Sequence, residues 1–156
     1  MRLLFWVAFA TVVMDQASKY LVVHVMDLAA QGAIDVFPPY LNLRMAWNYG
    51  INFGLFAGAS DLVRWVLIAV ALVISGAVLW WVRQDPPGVL GWIAAGLLIG
   101  GALGNVVDRI LYGAVADFLN MSCCGLNNPY AFNIADIAVF AGAAGLVLFT
   151  GGKKAP

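Results

Sequence analysis

The chain contains no glutamate. Its eight carboxylates are all aspartates, it has one histidine and two cysteines, and only 10% of its 156 residues are charged. A soluble domain of this size carries about 25% charged residues and leaves much of its surface in water. A sequence that is 63% hydrophobic, with a mean hydropathy of +0.91, cannot cover such a surface with polar groups. Over most of its length the solvent is therefore lipid. The formal net charge is zero, which leaves no basic field for nucleic acid and no acidic field for a cationic partner. His24 and two cysteines are too few for the usual zinc sites. His24 is also the only base available to a nucleophilic triad, and no serine sits in a GxSxG turn. Cys123 and Cys124 are neighbours, and a vicinal disulfide is a strained ring, so they read as two small, weakly polar loop residues. Neither metal nor cofactor is expected.

What is present is a set of long apolar runs. The fold class they indicate is a membrane all-α protein: four transmembrane helices with a small extracytoplasmic β-sheet and loop region, in a single integral membrane domain over residues 1–156. The crossings fall at about 3–24, 62–82, 89–111 and 133–150. The first begins after Arg2 in the manner of a secretory signal, but its apolar character resumes at Tyr20–Met26 with no small-residue cleavage site, and it reads as an uncleaved helix. Asp15 lies about 20 Å along it from Arg2. Lys19, four residues further on the same face, is placed to pair with Asp15. The third crossing is rich in glycine (Gly91, Gly96, Gly100, Gly101, Gly104), which lets helix backbones approach closely in lipid.

Two longer polar segments, about 27–61 and 113–130, cannot span. Pro38-Pro39 breaks any helix in the first. After it, residues 40–56 have roughly alternating character and read as a short strand pair or small sheet at the membrane surface. Trp47, Tyr49, Phe53 and Phe56 suit an interfacial aromatic belt. Four crossings put both termini on one side, together with Arg2, Arg83, Lys153 and Lys154. That bias makes the side cytoplasmic and turns both long segments outward. Asp15, Asp117 and Asp136 then converge near the outer end of the bundle.

Intramembrane ionisable residues are functional candidates by default. Asn105, Asp108 and Arg109 share one helix face; Asp108 and Arg109 could equally pair with each other or snorkel. Asp136 lies near the start of the fourth crossing on the same face as Asn133, where an acid is also favoured by the helix dipole. Asp117 follows a break at Gly113. Two carboxylates in a partly desolvated site cannot both ionise easily, so one pKa rises and a proton is shared. One can then take a proton from water while the other, as the acid, hydrogen-bonds a scissile carbonyl. Such a pair hydrolyses an amide with no metal and no covalent intermediate, and Asp117 with Asp136 is the pair placed to do so.

Five blocks, DQASK at 15–19, NYGINF at 48–53, GNVVDR at 104–109, VADF at 115–118 and FNIAD at 132–136, resemble in content and order the motif series of bacterial lipoprotein signal peptidase, signal peptidase II. The resemblance spans most of the chain. It implies a multi-pass aspartic endopeptidase of the bacterial inner (cytoplasmic) membrane. Its substrates would be prolipoproteins bearing a diacylglyceryl cysteine, presented from the membrane lipids and cut just before that cysteine. By matching position it makes Asp117 and Asp136 the catalytic dyad, and places Asp15, Lys19, Asn48, Gly50, Asn105, Arg109 and Asn133 around it as substrate-binding or supporting residues. Asp108 joins that set through the face it shares with Asn105 and Arg109. The resemblance also implies a small sheet cradling substrate outside the membrane. One departure is visible: Asn52 stands where the family usually has a small apolar residue.

Two other classes compete. A small transporter or proton-relay protein would distribute polar residues through the bilayer depth, whereas the interiors of the second and fourth crossings hold almost none. A non-enzymatic scaffold would use the glycine-rich third crossing for association, yet gives no reason for two carboxylates near one surface. A presenilin-type protease would need a GxGD block, which is absent.

Overall fold

Among the described residues, four long helices and a three-stranded sheet follow one another along the chain. The computed structural model describes residues 1–50 and 61–150. Asn52, Phe53 and Phe56 of the aromatic segment, and the Lys153-Lys154 tail, lie outside those residues. Helix α1 (Arg2–Lys19) continues without a break into a wider π-helical turn over Tyr20–Val25. The single turn α2 (Leu28–Gln31) leads into strands β1 (Ala33–Phe37) and β2 (Leu41–Asn48). Helices α3 (Asp61–Gln84) and α4 (Val89–Tyr112), strand β3 (Val115–Asn120) and helix α5 (Ile134–Thr150) complete the order.

The helix ends follow local chemistry. Helix α3 stops just before Asp85-Pro86-Pro87, because a residue preceding proline is driven out of the helical region. Helix α4 ends on Gly113, whose φ of +80° is the left-handed cap that closes a last turn, with its N–H on the Arg109 carbonyl. Helices α3 and α4 have 24 residues each, or about 36 Å, more than the roughly 30 Å hydrocarbon core. By length and composition these two are long and apolar enough to cross a membrane. Helix α1 carries Asp15 and Lys19 inside it and α5 has 17 residues, so neither meets the same test.

Helix α4 sits at the centre, packed between α1 and α5. Its glycines make this possible. A Cβ on Gly100 would stand 2.7 Å from the Ala8 carbonyl oxygen, and one on Gly142 of α5 would stand 2.6 Å from the Ala94 carbonyl oxygen. Small residues at these positions let backbones approach where lipid offers no hydrophobic drive for helices to associate. Leu4, Ala8, Val82, Ala95, Leu98, Ile99 and Leu146 fill the core between the helices. Helix α3, by contrast, buries only Ile68, Ser75 and Val82 and exposes Leu62, Trp65, Val66, Val73 and Ile74. An apolar outer surface of this kind fits a lipid solvent.

The sheet has the order β1-β2-β3 and is antiparallel throughout. Its strands are not confined to residues 40–56: β1 precedes Pro38-Pro39, and β3 lies inside the segment read from sequence as an outer loop. Registers pair Ala33 with Arg44, Leu43 with Leu119, Ala46 with Asp117 and Asn48 with Val115. Strand β3 is buried at every position except the half-buried Leu119, so no alternation of polar and apolar residues marks it in the sequence. Val22, Leu28, Leu43 and Phe118 form a second apolar cluster beneath the sheet, which docks the sheet on the end of the bundle where α1 and α4 finish.

Candidate active site

Helix α4 ends, β3 passes and α5 starts at one place, and the polar residues of all three meet there. Asn133 stands just before the first turn of α5. Its Oδ1 accepts the Asp136 N–H at 2.9 Å, and Asp136 Oδ2 accepts the Asn133 N–H at 3.2 Å. This reciprocal exchange satisfies amide groups that a helix start leaves without partners. With its Oδ1 committed, the Asn133 amide has only N–H to offer, and Nδ2 donates to Asp117 Oδ1 at 2.6 Å. Asn133 therefore touches both carboxylates, Asp117 through its side chain and Asp136 through its backbone.

Two more asparagines complete the shell by the same logic. Asn48 closes a turn in which its Oδ1 accepts the Gly50 N–H at 2.8 Å, and Gly50 takes a φ of +92° that glycine adopts without strain. The Asn48 Nδ2 is thereby left to donate to Asp117 Oδ2 at 3.0 Å. Asn105 Oδ1 accepts from Asn133 Nδ2 at 3.3 Å and from Lys19 Nζ at 3.4 Å, so its own Nδ2 donates to Asp136 Oδ1 at 2.9 Å. Each carboxylate thus receives two N–H donors. Arg109 stands nearby and donates from an Nη to the Asn105 carbonyl oxygen at 3.3 Å.

Asp117 is 4% exposed, whereas Asp136 is half-buried. Burial and the neighbouring Asp136 charge push the Asp117 carboxyl up from 3.8 to about 6, against the Asn48 and Asn133 bonds that favour its ionised form. A carboxyl pair in this state retains a proton at pH values where isolated aspartates have lost theirs. Beside Asp136 an open apolar recess of about 500 Å³ is lined by Phe132, Ile137, Phe140 and Ala141.

Behind the pair lies a buried ionic cluster. Lys19 Nζ is 2.7 Å from Asp15 Oδ2 and 2.7 Å from Asp108 Oδ2. The Asp15–Lys19 pair expected within α1 is present. Asp108 turns to Lys19, and neither of the two readings offered for it, pairing with Arg109 or snorkelling, describes it. Of the residues singled out in the sequence, Asp117, Asp136, Asn48, Asn105 and Asn133 form the contact shell, Gly50 acts through Asn48, and Asp15, Lys19 and Asp108 stand one layer back. Gln16 was missed: its Nε2 reaches Asp108 Oδ1 at 2.8 Å, Asp15 Oδ2 at 3.1 Å and the Gly104 carbonyl at 3.2 Å. An amide two turns inside an apolar run, next to a buried acid, was the signal that could have found it. Cys123 and Cys124 are exposed and free. Among the described residues no three His, Cys or Asp side chains are grouped to hold a metal.

Among the described residues the ionisable groups of α1, α4 and α5 collect at this end of the bundle, Arg2 excepted, which is not the pattern of a relay through the bilayer. Comparison with known proteins points the same way. The family model described as signal peptidase (SPase) II matches residues 7–150. A protein named lipoprotein signal peptidase from Methylobacterium sp. (strain 4-46) is 40% identical over 143 residues, covering 92% of this chain and 85% of that protein. One of the same name from Alteromonas mediterranea is 40% identical over 152 residues, covering 96% and 81%. Two solved structures described as bacterial membrane enzymes superpose with TM-scores of 0.77 and 0.81 at 29% and 27% identity. They cover 98% and 97% of this chain and 92% and 94% of theirs. The chain belongs to the signal peptidase II family, the membrane aspartic proteases that include the lipoprotein signal peptidases.

Proposed function

We propose that Asp117 and Asp136 are the catalytic dyad and that the chain removes signal peptides from diacylglyceryl-modified prolipoproteins, cutting before the lipidated cysteine. The observation that carries this reading is the double engagement of Asn133, which holds both carboxyls on one residue at the mouth of an apolar recess. The ionised member of the pair takes a proton from water, and the water oxygen adds to the scissile carbonyl carbon. The protonated member gives its proton to the carbonyl oxygen, so the dyad again holds one proton. The tetrahedral intermediate collapses as the nitrogen of the cysteine residue accepts a proton from the dyad and leaves. One hydroxyl of the intermediate returns its proton to the dyad as the new carboxyl forms, so the pair ends with one proton as it began. Asn48, Asn105 and Asn133 fix the carboxyl planes, and Arg109 steadies Asn105. Phe132, Ile137 and Phe140 offer the lipid-facing wall along which apolar parts of the substrate approach.

The same reading sets the membrane arrangement. Helix α1 with its π-helical extension runs unbroken from Arg2 to Val25, with Asp15 and Lys19 buried against each other and not presented to lipid. It and α5 then join α3 and α4 as four crossings of the bacterial inner membrane. Arg2, Arg83 and the Lys153-Lys154 tail mark the cytoplasmic side, with both termini there and the dyad towards the outer face. The test is hydrolysis of one precursor prepared with and without its diacylglyceryl group. Cleavage before the cysteine of the lipidated form alone supports the reading; equal cleavage of both forms, or a cut elsewhere, contradicts it.

A further inference from the structure

The two carboxylates of the buried cluster each end on a peptide N–H, and the two peptides concerned are not arbitrary. Asp15 Oδ1 accepts the Ala135 N–H at 2.9 Å, and Ala135 immediately precedes Asp136. Asp108 Oδ2 accepts the Ala116 N–H at 3.1 Å, and Ala116 immediately precedes Asp117. Lys19 joins the two acceptors at 2.7 Å each, and Gln16 donates to both. We infer that Asp15, Lys19 and Asp108 form a clasp that sets the separation of the dyad by holding the backbone before each of its members. The inference rests on the dyad reading above and names these three as positioning residues.

A purely stabilising role explains this arrangement poorly. A buried ion pair contributes little net stability compared with apolar residues of the same volume, and α1 already has an apolar and small-residue seam against α4. What carboxylates supply and methyl groups do not is a directed acceptor for an amide that is otherwise buried without a partner. Asp15 and Asp108 are fully buried and Lys19 nearly so, so water does not replace these bonds. Strand β3 and the start of α5 are already joined on one side by the backbone bonds of Phe118 and Leu119 to Phe132 and by Asn133. The clasp adds a second link from the bundle interior, at the peptides immediately before Asp117 and Asp136, and two links fix a separation that one leaves free to pivot. Gly104 belongs to the same device, since a Cβ there would stand 2.7 Å from Asp15 Oδ2.

The test is steady-state hydrolysis of a lipidated precursor by full-length variants in detergent or nanodiscs, with thermal unfolding measured on the same samples. Asp15→Ala and Asp108→Ala are each expected to lower kcat about a hundredfold while KM changes less than about threefold, as for a small misplacement of reacting groups. The double variant is expected to lose about as much as one single variant and not the product of both, because the clasp acts as a unit. Asp108→Asn, which keeps an oxygen acceptor for the Ala116 N–H, is expected to recover at least about tenfold over Asp108→Ala. Gly104→Ala changes no charge and is expected to lower kcat with KM held. Should a variant be lost to misfolding, Gly104→Ala and Asp108→Asn carry the test. A kcat within about threefold of wild type for folded Asp108→Ala or Gly104→Ala overturns the clasp, as does a kcat loss equal to the unfolded fraction. Asp117→Asn and Asp136→Asn run alongside: if they stay active the dyad reading fails, and if they are dead while the clasp variants are normal only the clasp fails.

Discussion

Asn133 Nδ2 lies 2.6 Å from Asp117 Oδ1, and that bond exists because the other half of the same amide is already spent. The Asn133 Oδ1 caps the start of α5 by accepting the Asp136 N–H, so only its donor face is free to meet the strand. A helix cap and a contact to one of the two carboxyls proposed as the dyad are thus one side chain, and the two roles separate by substitution. Asn133→Ala removes both and is expected to cost about 1 kcal/mol of stability, with turnover falling further than protein abundance does. Asn133→Asp keeps the cap acceptor but brings a third carboxylate against Asp117. It is expected to unfold within a few degrees of wild type and to lose at least about tenfold in kcat. Equal loss of abundance and turnover in Asn133→Ala makes Asn133 structural only.

The raised Asp117 carboxyl gives a pH signature. The free enzyme retains the dyad proton until the pH passes about 6, and kcat/KM reports the ionisation of the free enzyme. A plot of kcat/KM against pH is expected to fall on its alkaline side with a midpoint near that value. A profile flat from pH 5 to 8 contradicts the shared-proton mechanism.

The same shift has a stability consequence of fixed sign. The folded-state pKa of Asp117 is raised above its ordinary value of 3.8. The contribution it makes to stability is therefore fully present below pH 3.8 and is lost as pH rises through about 6. At most about 3 kcal/mol is involved, at 1.36 kcal/mol per pH unit. Asp117→Asn, which cannot ionise, is expected to be inactive yet more resistant to heat than wild type at pH 7.5, with the gap closing towards pH 4. A variant less stable than wild type at pH 7.5 contradicts the electrostatic account of this site.

How much of this was legible in the sequence depended on range. Apolar runs disclosed α3 and α4, and the four-residue spacing of Asp15 and Lys19 gave their pair, because both signals are local. The glycines of α4 signalled close backbone approach, although not that α1 and α5 are the neighbours. The motif series named the family, and it picked out the two aspartates and three asparagines that the fold brings together. Strand β3 was hidden because it is buried on both faces and carries no alternation. The partner of Asp108 was hidden because Lys19 lies on another helix, and the adjacent Arg109 was the only candidate a local reading could offer. The Asn133 cap and the Gln16 bridge depend on where three separate elements end, which no spacing records.

Packing of α4 on α5 offers a prediction independent of chemistry. A methyl group on Gly142 would meet backbone atoms of Ala94 and Leu98, which cannot rotate away as a side chain can. Gly142→Ala is expected to lower stability by about 2 kcal/mol or more through forced separation of the helices. Thermal unfolding in detergent checks it, and activity at low temperature is expected to persist in the folded fraction. An unchanged unfolding temperature means that α4 and α5 are not in close contact at this point.

The most direct measurement is the rate at which purified, folded Asp117→Asn and Asp136→Asn proteins hydrolyse a diacylglyceryl-modified precursor, set beside wild type under single-turnover conditions. If the two carboxyls share the proton that drives water onto the peptide bond, each substitution lowers the rate by at least about a thousandfold, with substrate binding retained. A rate within about tenfold of wild type in either variant contradicts the account.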